Sequence, residues 1–217
     1  MTAQIGDTCR IKRKEYQILD CEKDLFDPRS VGISTTSCST ACWRGFKCEY
    51  VIKQNELLLS NLIVCCNECV EFNGIKPQEL LERNPVGNYL YEDLNYKINY
   101  TGKLLLGDKF IQKYYIHMGF QNFWAFKDVK EYIFEEGNCI EYQDCSDIAK
   151  FARNIIDNPI IFPLTDKDKE YANKTHMSKE DINRLKLENF ILQSFSRPYK
   201  ERTKLFKLLK KGIILDE

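Results

Sequence analysis

Residues 46–64 have the sequence FKCEYVIKQNELLLSNLIV, in which two strand-like runs flank Gln54-Asn55. Two such runs joined by a two-residue polar turn are typical of a β-hairpin. We therefore predict strands over 46–53 and 56–64. In the second run both alternating sets of side chains are rich in apolar residues, as expected of a central strand. This hairpin indicates a mainly β fold.

A second hairpin is predicted later in the chain. Residues 129–134 and 138–144 flank Glu135-Glu136-Gly137, which is again a short polar connection between strand-like runs. Further strands are expected over 16–20, 31–36, 103–106 and 110–116, and one helical turn is expected near 77–83. Most of the first two thirds of the chain is thus predicted to be strands and their connections.

A similar short motif precedes each predicted hairpin. The first is Thr40-Ala41-Cys42-Trp43-Arg44-Gly45-Phe46, and the second is Tyr115-Ile116-His117-Met118-Gly119-Phe120. Aligning the two Gly-Phe pairs places Trp43 with His117 and Arg44 with Met118. We predict one structural unit used twice, with an insertion over 122–126 in the second copy. The alternative is two ordinary hairpins with a chance Gly-Phe match.

Helical spacing replaces strand alternation after Asp144. Helices are predicted over 147–157, from Ser178 to about Ser196, and over 199–211. The resulting architecture is a mainly β (α+β) fold, in which the two hairpin-containing halves form a sheet or a barrel-like domain with a helical C-terminal extension. The predicted domains are a β domain over 1–145, with halves at about 16–72 and 96–145, and a helical extension over 146–217 that packs on it.

Composition excludes some classes of protein. The 217 residues are 43% hydrophobic, which is enough apolar material for a substantial core. Lys plus Arg equals Asp plus Glu, at 32 each, so no net charge steers the whole molecule toward nucleic acid. No export signal or transmembrane segment is evident, so we expect a cytoplasmic protein. Its ten cysteines are then expected to be reduced thiols.

The two motifs resemble those of a family of uncharacterised bacterial proteins. In that family a Thr-Ala-x-Trp-Arg-Gly-aromatic stretch and a Tyr-x-His-Met-Gly-aromatic stretch each precede a strand pair. The similarity covers roughly residues 18–144 and includes an acidic-Gly hairpin turn like the one at 135–137. The resemblance implies a fold, a bacterial source and a candidate surface, but no activity.

Four cysteines are the candidate metal ligands. Cys66 and Cys69 form the one C-x-x-C pair, and Cys38 and Cys42 lie four residues apart. Extending the hairpin register outward places Cys42 opposite Asn67, so the four thiolates approach the tetrahedral arrangement that zinc prefers. The alternative, reduced cysteines without a ligand, is favoured because the usual zinc-knuckle residues after the first cysteine are absent.

His117 and Cys42 are the candidate catalytic residues. A neutral imidazole exchanges a proton near pH 7, and a thiolate paired with it is a nucleophile. No third residue to orient His117 and no glycine-rich oxyanion loop accompanies them, so a structural histidine is favoured. His176 is the one other histidine of the chain, which excludes a site with several histidine ligands.

Binding residues are expected at the two motifs, namely Trp43, Arg44, His117 and Met118. An indole ring and a planar cation suit recognition surfaces, although a core Trp43 is the favoured interpretation of that residue. Most of the aromatic cluster over 120–126 is likewise expected to be buried. The segment 197–211 carries seven basic residues and one acidic residue, giving +6, which suits binding to nucleic acid, an anionic surface or an acidic partner. The favoured interpretation is a helix whose apolar face packs on the β domain and whose lysines are solvated.

We conclude from the sequence that the chain is a non-enzymatic binding or protein-interaction module, whose partner is a protein or a small ligand. Nucleic acid is not the expected partner, because no nucleic-acid fold signature accompanies the basic segment. One alternative is a hydrolase or transferase using Cys42 or His117. A second alternative is a zinc-stabilised module with a C-terminal helix that contacts nucleic acid or membrane.

Overall fold

The computed structural model describes residues 2–158 and 165–194, together with Glu201 and Lys204. Two compact units divide the chain, Met1–Ser146 and Asp147–Glu217. The predicted packing of the helical extension on the β domain stays a prediction. The predicted helix over 199–211 and the basic segment over 197–211 lie almost wholly outside the described residues.

The first unit contains one mixed sheet of ten strands, which confirms the mainly β class. The strands are β1 (Thr8–Ile11), β2 (Lys14–Cys21), β3 (Phe46–Lys53), β4 (Glu56–Val64), β5 (Gln78–Glu79), β6 (Tyr89–Tyr91), β7 (Tyr96–Lys97), β8 (Gly102–Phe110), β9 (Phe126–Glu135) and β10 (Asn138–Asp144). The strands β5, β6 and β7 are short and extend the sheet beside β4.

Seven of these strands form a closed ring of pairings. Their order is β10-β9-β8-β2-β1-β3-β4, and the ring closes where Asn138 of β10 pairs with Glu56 of β4. The pairing of β1 with β3 is parallel, and the other pairings around the ring are antiparallel. Large buried side chains such as Tyr50, Leu104 and Phe134 form the hydrophobic core.

Both predicted hairpins are confirmed. The first has the predicted strand bounds, and its turn residues Gln54 and Asn55 have φ of 52° and 65°. In the second, Glu136 and Gly137 have φ of 48° and 79°. Two successive positive φ angles are the turn geometry whose twist matches that of paired strands.

The register of the first hairpin differs from a simple extension of its turn. Ile52 lies opposite Leu57, but an irregularity between Glu49 and Tyr50 shifts the pairing by one residue, so that Phe46 lies opposite Val64. β3 begins at Phe46. The inference that Cys42 lies opposite Asn67 was therefore wrong, because it assumed a continuous register.

Three predicted elements of the first unit were wrong. Residues 28–31 form a 3₁₀ helix in place of a strand over 31–36, because Asp27 caps the backbone N–H of Arg29 and Pro28 starts the helix. Residues 112–114 form another 3₁₀ helix after β8 ends at Phe110. Residues 78–79 pair with β6 instead of forming a helical turn.

The second unit contains α1 (Ser146–Asp157, whose first residue belongs to the first unit), α2 (Asp166–Thr175) and α3 (Lys179–Ser194). The helices predicted near α1 and α3 are confirmed, and Ser178 Oγ accepts the N–H of Asp181 (3.1 Å) at the start of α3. Helix α2 was missed, although Thr165 and Asp168 form the same reciprocal cap. None of the helices in the described residues is long and apolar enough to cross a bilayer.

Candidate functional site

The N-terminal segment brings the two motifs together. The Gln4 N–H donates to the Gly119 carbonyl (2.9 Å), and the next N–H, of Ile5, donates to the Ala41 carbonyl (2.8 Å). The Gln4 side-chain oxygen also accepts the N–H of Trp43 (3.1 Å). We call residues 37–45 the first loop and residues 115–121 the second loop. The candidate site is the surface where these loops flank residues 4–5.

A partly buried ion pair holds the end of the first loop. The Arg44 guanidinium donates twice to the Asp7 carboxylate, once at 3.0 Å, and once to the Phe46 carbonyl (2.9 Å). It also lies over the Phe46 ring, 4.5 Å from the ring centroid. Burial opposes the charge of Arg44, but the Asp7 carboxylate raises the Arg44 pKa on balance. The Arg44 guanidinium thus contacts Asp7 and Phe46 of its own chain.

The aligned glycines share a left-handed backbone conformation, with φ of 72° at both Gly45 and Gly119. Their surroundings differ. A Cβ atom at Gly45 would lie 2.0 Å from the Thr36 carbonyl oxygen, whereas no atom lies within 4 Å of one at Gly119. The predicted insertion over 122–126 contains the 3₁₀ helix Phe123–Ala125, which separates the second motif from β9.

The second loop is held by one glutamine. The Ile116 N–H donates to Gln121 Oε1 (3.0 Å), and Gln121 Nε2 donates to the Ile116 carbonyl (2.9 Å). The exposed His117 ring lies edge-on to Tyr115, with 5.1 Å between the ring centroids. His117 therefore lies at the protein surface, next to an aromatic ring.

Large apolar side chains are exposed on both loops. Trp43 is 55% exposed, Met118 54% and Phe120 50%. The expectation of a core Trp43 was therefore wrong. The expectation that most of the aromatic cluster over 120–126 is buried is confirmed, since Phe123, Trp124 and Phe126 are buried and Phe120 is half exposed. We call the side chains of Trp43, Tyr115, His117, Met118 and Phe120 the paired-loop surface.

A cavity of about 510 Å³ adjoins this surface. Residues 3–6 form one wall, and Tyr115 of the second loop forms part of another. The polar lining includes the amide side chains of Gln17 and Gln112 and the oppositely charged Glu15 and Lys47. Cavities of this size accommodate small molecules or short peptide segments.

The two candidate catalytic residues differ in accessibility. Cys42 is 1% exposed, and its Sγ donates to the Phe46 carbonyl (3.3 Å). His117 is exposed, and within the described residues no hydrogen bond joins the two side chains. The structure thus encloses the Cys42 thiol and leaves the His117 imidazole in solvent.

The four candidate metal ligands do not form one group: three of them are in two different disulfides and the fourth is a free thiol. Cys38 forms a disulfide with Cys65, and Cys66 forms one with Cys69, whereas Cys42 is a separate buried thiol. The expectation of ten reduced cysteines was therefore wrong for four of them. Across residues 2–158 and 165–194, no group of three or more His, Cys, Asp or Glu side chains is arranged to hold a metal ion.

The fold and the site together define a β-ring protein that exposes apolar side chains on two adjacent loops. No family model matches the chain, and comparisons with curated proteins and with solved structures found no significant match. The resemblance to the bacterial family stays a prediction from the sequence motifs.

Proposed function

We propose that this chain is a non-enzymatic interaction module that holds a partner protein on the paired-loop surface. The observation that carries the proposal is the exposure of Trp43, Met118 and Phe120 on two loops that the same N-terminal segment joins. A bacterial source and a cytoplasmic location are parts of this proposal.

The chemistry of the exposed side chains supports a protein partner. Contiguous apolar surface is seldom left bare on a monomer, and tryptophan and tyrosine are over-represented among the residues that dominate protein interfaces. Methionine adapts its shape to different apolar partners. A partner with an apolar anchor side chain would therefore bury Trp43 and Met118 together.

The adjoining cavity supports an extended peptide segment as the bound part of the partner. Each primary amide of Gln17 and Gln112 offers donors and an acceptor that match a peptide main chain. Glu15 adds a carboxylate, and the Lys47 ammonium at the same cavity is paired with Glu49 (2.8 Å). A segment whose backbone enters the cavity could thus present its apolar anchor to the loops.

Arg44 takes a supporting role in this proposal. Because its guanidinium pairs with Asp7 beneath the loop, it orients Trp43 from within the protein. His117 lies among the contact residues through its packing against Tyr115.

Site-specific photo-crosslinking in the native cells tests the proposal. A photoreactive amino acid at Met118 should give a discrete protein adduct, whereas the same group at Ile140, which is 61% exposed on β10, should not. Trp43→Ala should then weaken binding of the identified partner about tenfold or more, as expected for a central aromatic contact. Equal adducts from both positions, or no adduct from Met118, would contradict the proposal.

A further inference from the structure

Two disulfides start from adjacent residues at the end of β4. Cys66 is fully buried in the core, and its partner Cys69 packs against that core. The preceding residue, Cys65, is bonded to the exposed Cys38 of the first loop, 27 residues earlier in the chain. Cys38 is thus the most exposed of the four disulfide-bonded cysteines, since Cys65 and Cys66 are buried and Cys69 is partly exposed.

Cys65 anchors the first loop in three ways. The Thr36 N–H donates to the Cys65 carbonyl (2.8 Å), and the Cys65 N–H donates to the Gly45 carbonyl (2.8 Å). The disulfide to Cys38 is the third link. These links hold both ends of the segment that carries Trp43.

The free thiols of the first unit are poor competitors for exchange, and Cys42, which lies in the first loop itself, is 1% exposed. Burial raises the pKa of Cys9 to about 12 and that of Cys21 to about 11, and it also raises the pKa of Cys48 and Cys139. Thiols of this kind stay protonated at neutral pH, and the thiolate is the reactive form. Exchange at the Cys38–Cys65 disulfide thus has little competition from these protonated thiols.

We propose that Cys38–Cys65 is a reversible thiol–disulfide switch for a low-molecular-weight thiol, and that its reduction removes the covalent anchor of the first loop and loosens the Trp43 side of the paired-loop surface. The consequence for partner binding rests on the proposed function, but the chemistry and the loosening of the loop do not. In a reducing compartment such a disulfide forms only transiently, which suits a sensor of oxidation.

The exchange takes place in two balanced steps. The thiolate of the first small thiol attacks Cys38 Sγ, forming a mixed disulfide with Cys38 and releasing Cys65 as a thiolate, which takes up a proton. A second small thiolate then attacks the small-thiol sulfur of the mixed disulfide and releases Cys38. Two small thiols are oxidised to one small disulfide, and the Cys38–Cys65 bond is reduced to two thiols.

Mass spectrometry of the oxidised full-length chain in graded glutathione buffers tests the switch without any partner. Alkylation with peptide mapping reports which cysteines are reduced, and hydrogen exchange reports the order of residues 36–45. We expect Cys38 and Cys65 to be labelled before Cys66, with amide exchange over 36–45 rising about tenfold or more as its anchoring is lost. Oxidised glutathione should reverse both changes.

Two variants complete the test. Cys38→Ser/Cys65→Ser should show fast exchange over 36–45 in every buffer, and Cys66→Ser/Cys69→Ser should keep the switching behaviour of the wild type. The proposal is overturned if Cys38 and Cys65 are labelled only when the whole β unit unfolds, or if they are labelled while exchange over 36–45 stays unchanged. If reduction raises exchange over 36–45 but does not change the protein adduct formed at Met118, the thiol–disulfide switch is supported and the proposed function is contradicted.

Discussion

The two loops have the same left-handed glycine and similar exposed tips, but they are anchored differently. The first loop is held by a disulfide, by the Arg44–Asp7 ion pair and by close packing at Gly45. The second loop is held by the Gln121 side chain and by the hydrogen bond from Gln4 to Gly119. A shared motif geometry thus does not imply shared anchoring, because the side chains aligned in the two motifs make different contacts.

The largest difference is expected at the aligned glycines. Gly45→Ala should destabilise the β unit by more than about 3 kcal/mol, because its Cβ would overlap the Thr36 carbonyl in a left-handed conformation. Gly119→Ala should lower the free energy of unfolding by about 1 kcal/mol, because only the left-handed backbone conformation opposes the new side chain. Urea unfolding followed by the fluorescence of the buried Trp124 measures both. Equal losses would show that the first loop rearranges around the new side chain.

Removal of the cross-link is expected to have the next largest effect. Cys38→Ser/Cys65→Ser should lower the free energy of unfolding of the oxidised protein by about 3–4 kcal/mol, because the disulfide closes a long loop in the unfolded chain. The Cys66–Cys69 disulfide joins residues only three positions apart, so Cys66→Ser/Cys69→Ser should lower the free energy of unfolding by about 2 kcal/mol. The same unfolding experiment under reducing conditions should abolish the difference between wild type and the first variant.

The ion pair should contribute less than the cross-link. Asp7→Ala should cost about 2–3 kcal/mol, because it leaves the half-buried Arg44 charge unpaired and the Cys48 N–H without its acceptor (2.6 Å). Asp7→Asn keeps an acceptor for that N–H and should lose less. Thermal unfolding of both variants tests this order, and an Asp7→Ala protein as stable as wild type would contradict it.

Changes in the second loop should be smaller still. Gln121→Ala removes both hydrogen bonds to Ile116 and should cost about 1 kcal/mol. Hydrogen exchange should show the loss confined to residues 115–121, with residues 36–45 unaffected. Spread of the effect into the first loop would mean that the N-terminal segment couples the two loops.

The smallest effects on stability should come from the exposed tips. Met118→Ala removes a side chain that is largely in solvent, so the free energy of unfolding should change by less than about 0.5 kcal/mol. A larger loss measured by urea unfolding would show that Met118 packs within the protein and would remove it from the paired-loop surface.

The sequence predicted the elements whose signals are local. Both hairpins follow from strand-like runs around short turns, and the cap at Ser178 marked α3. The equivalent cap at Thr165 was present and could have revealed α2.

The anchoring of the site could not be predicted, because it depends on contacts between distant residues. Asp7 and Arg44 are 37 positions apart, and the partner of Cys38 is set by where β4 ends. The segment at residues 3–6, which joins the two loops, has no periodic pattern. The irregularity at Glu49 and Tyr50 is equally invisible in the sequence.

The closure of the strand ring by a single residue pair has a consequence for solubility. Beyond Asn138, most of the outer edge of β10 is left without a strand partner in the described part of the chain. Such an edge can template pairing with another chain and start aggregation. Here the irregularity between Cys139 and Glu141 interrupts the edge, and the exposed carboxylates of Glu141 and Asp144 repel a second copy. Ile140 and Tyr142 are also exposed on this strand (61% and 48%), so the bulge and the carboxylates oppose self-association at an edge that is otherwise apolar.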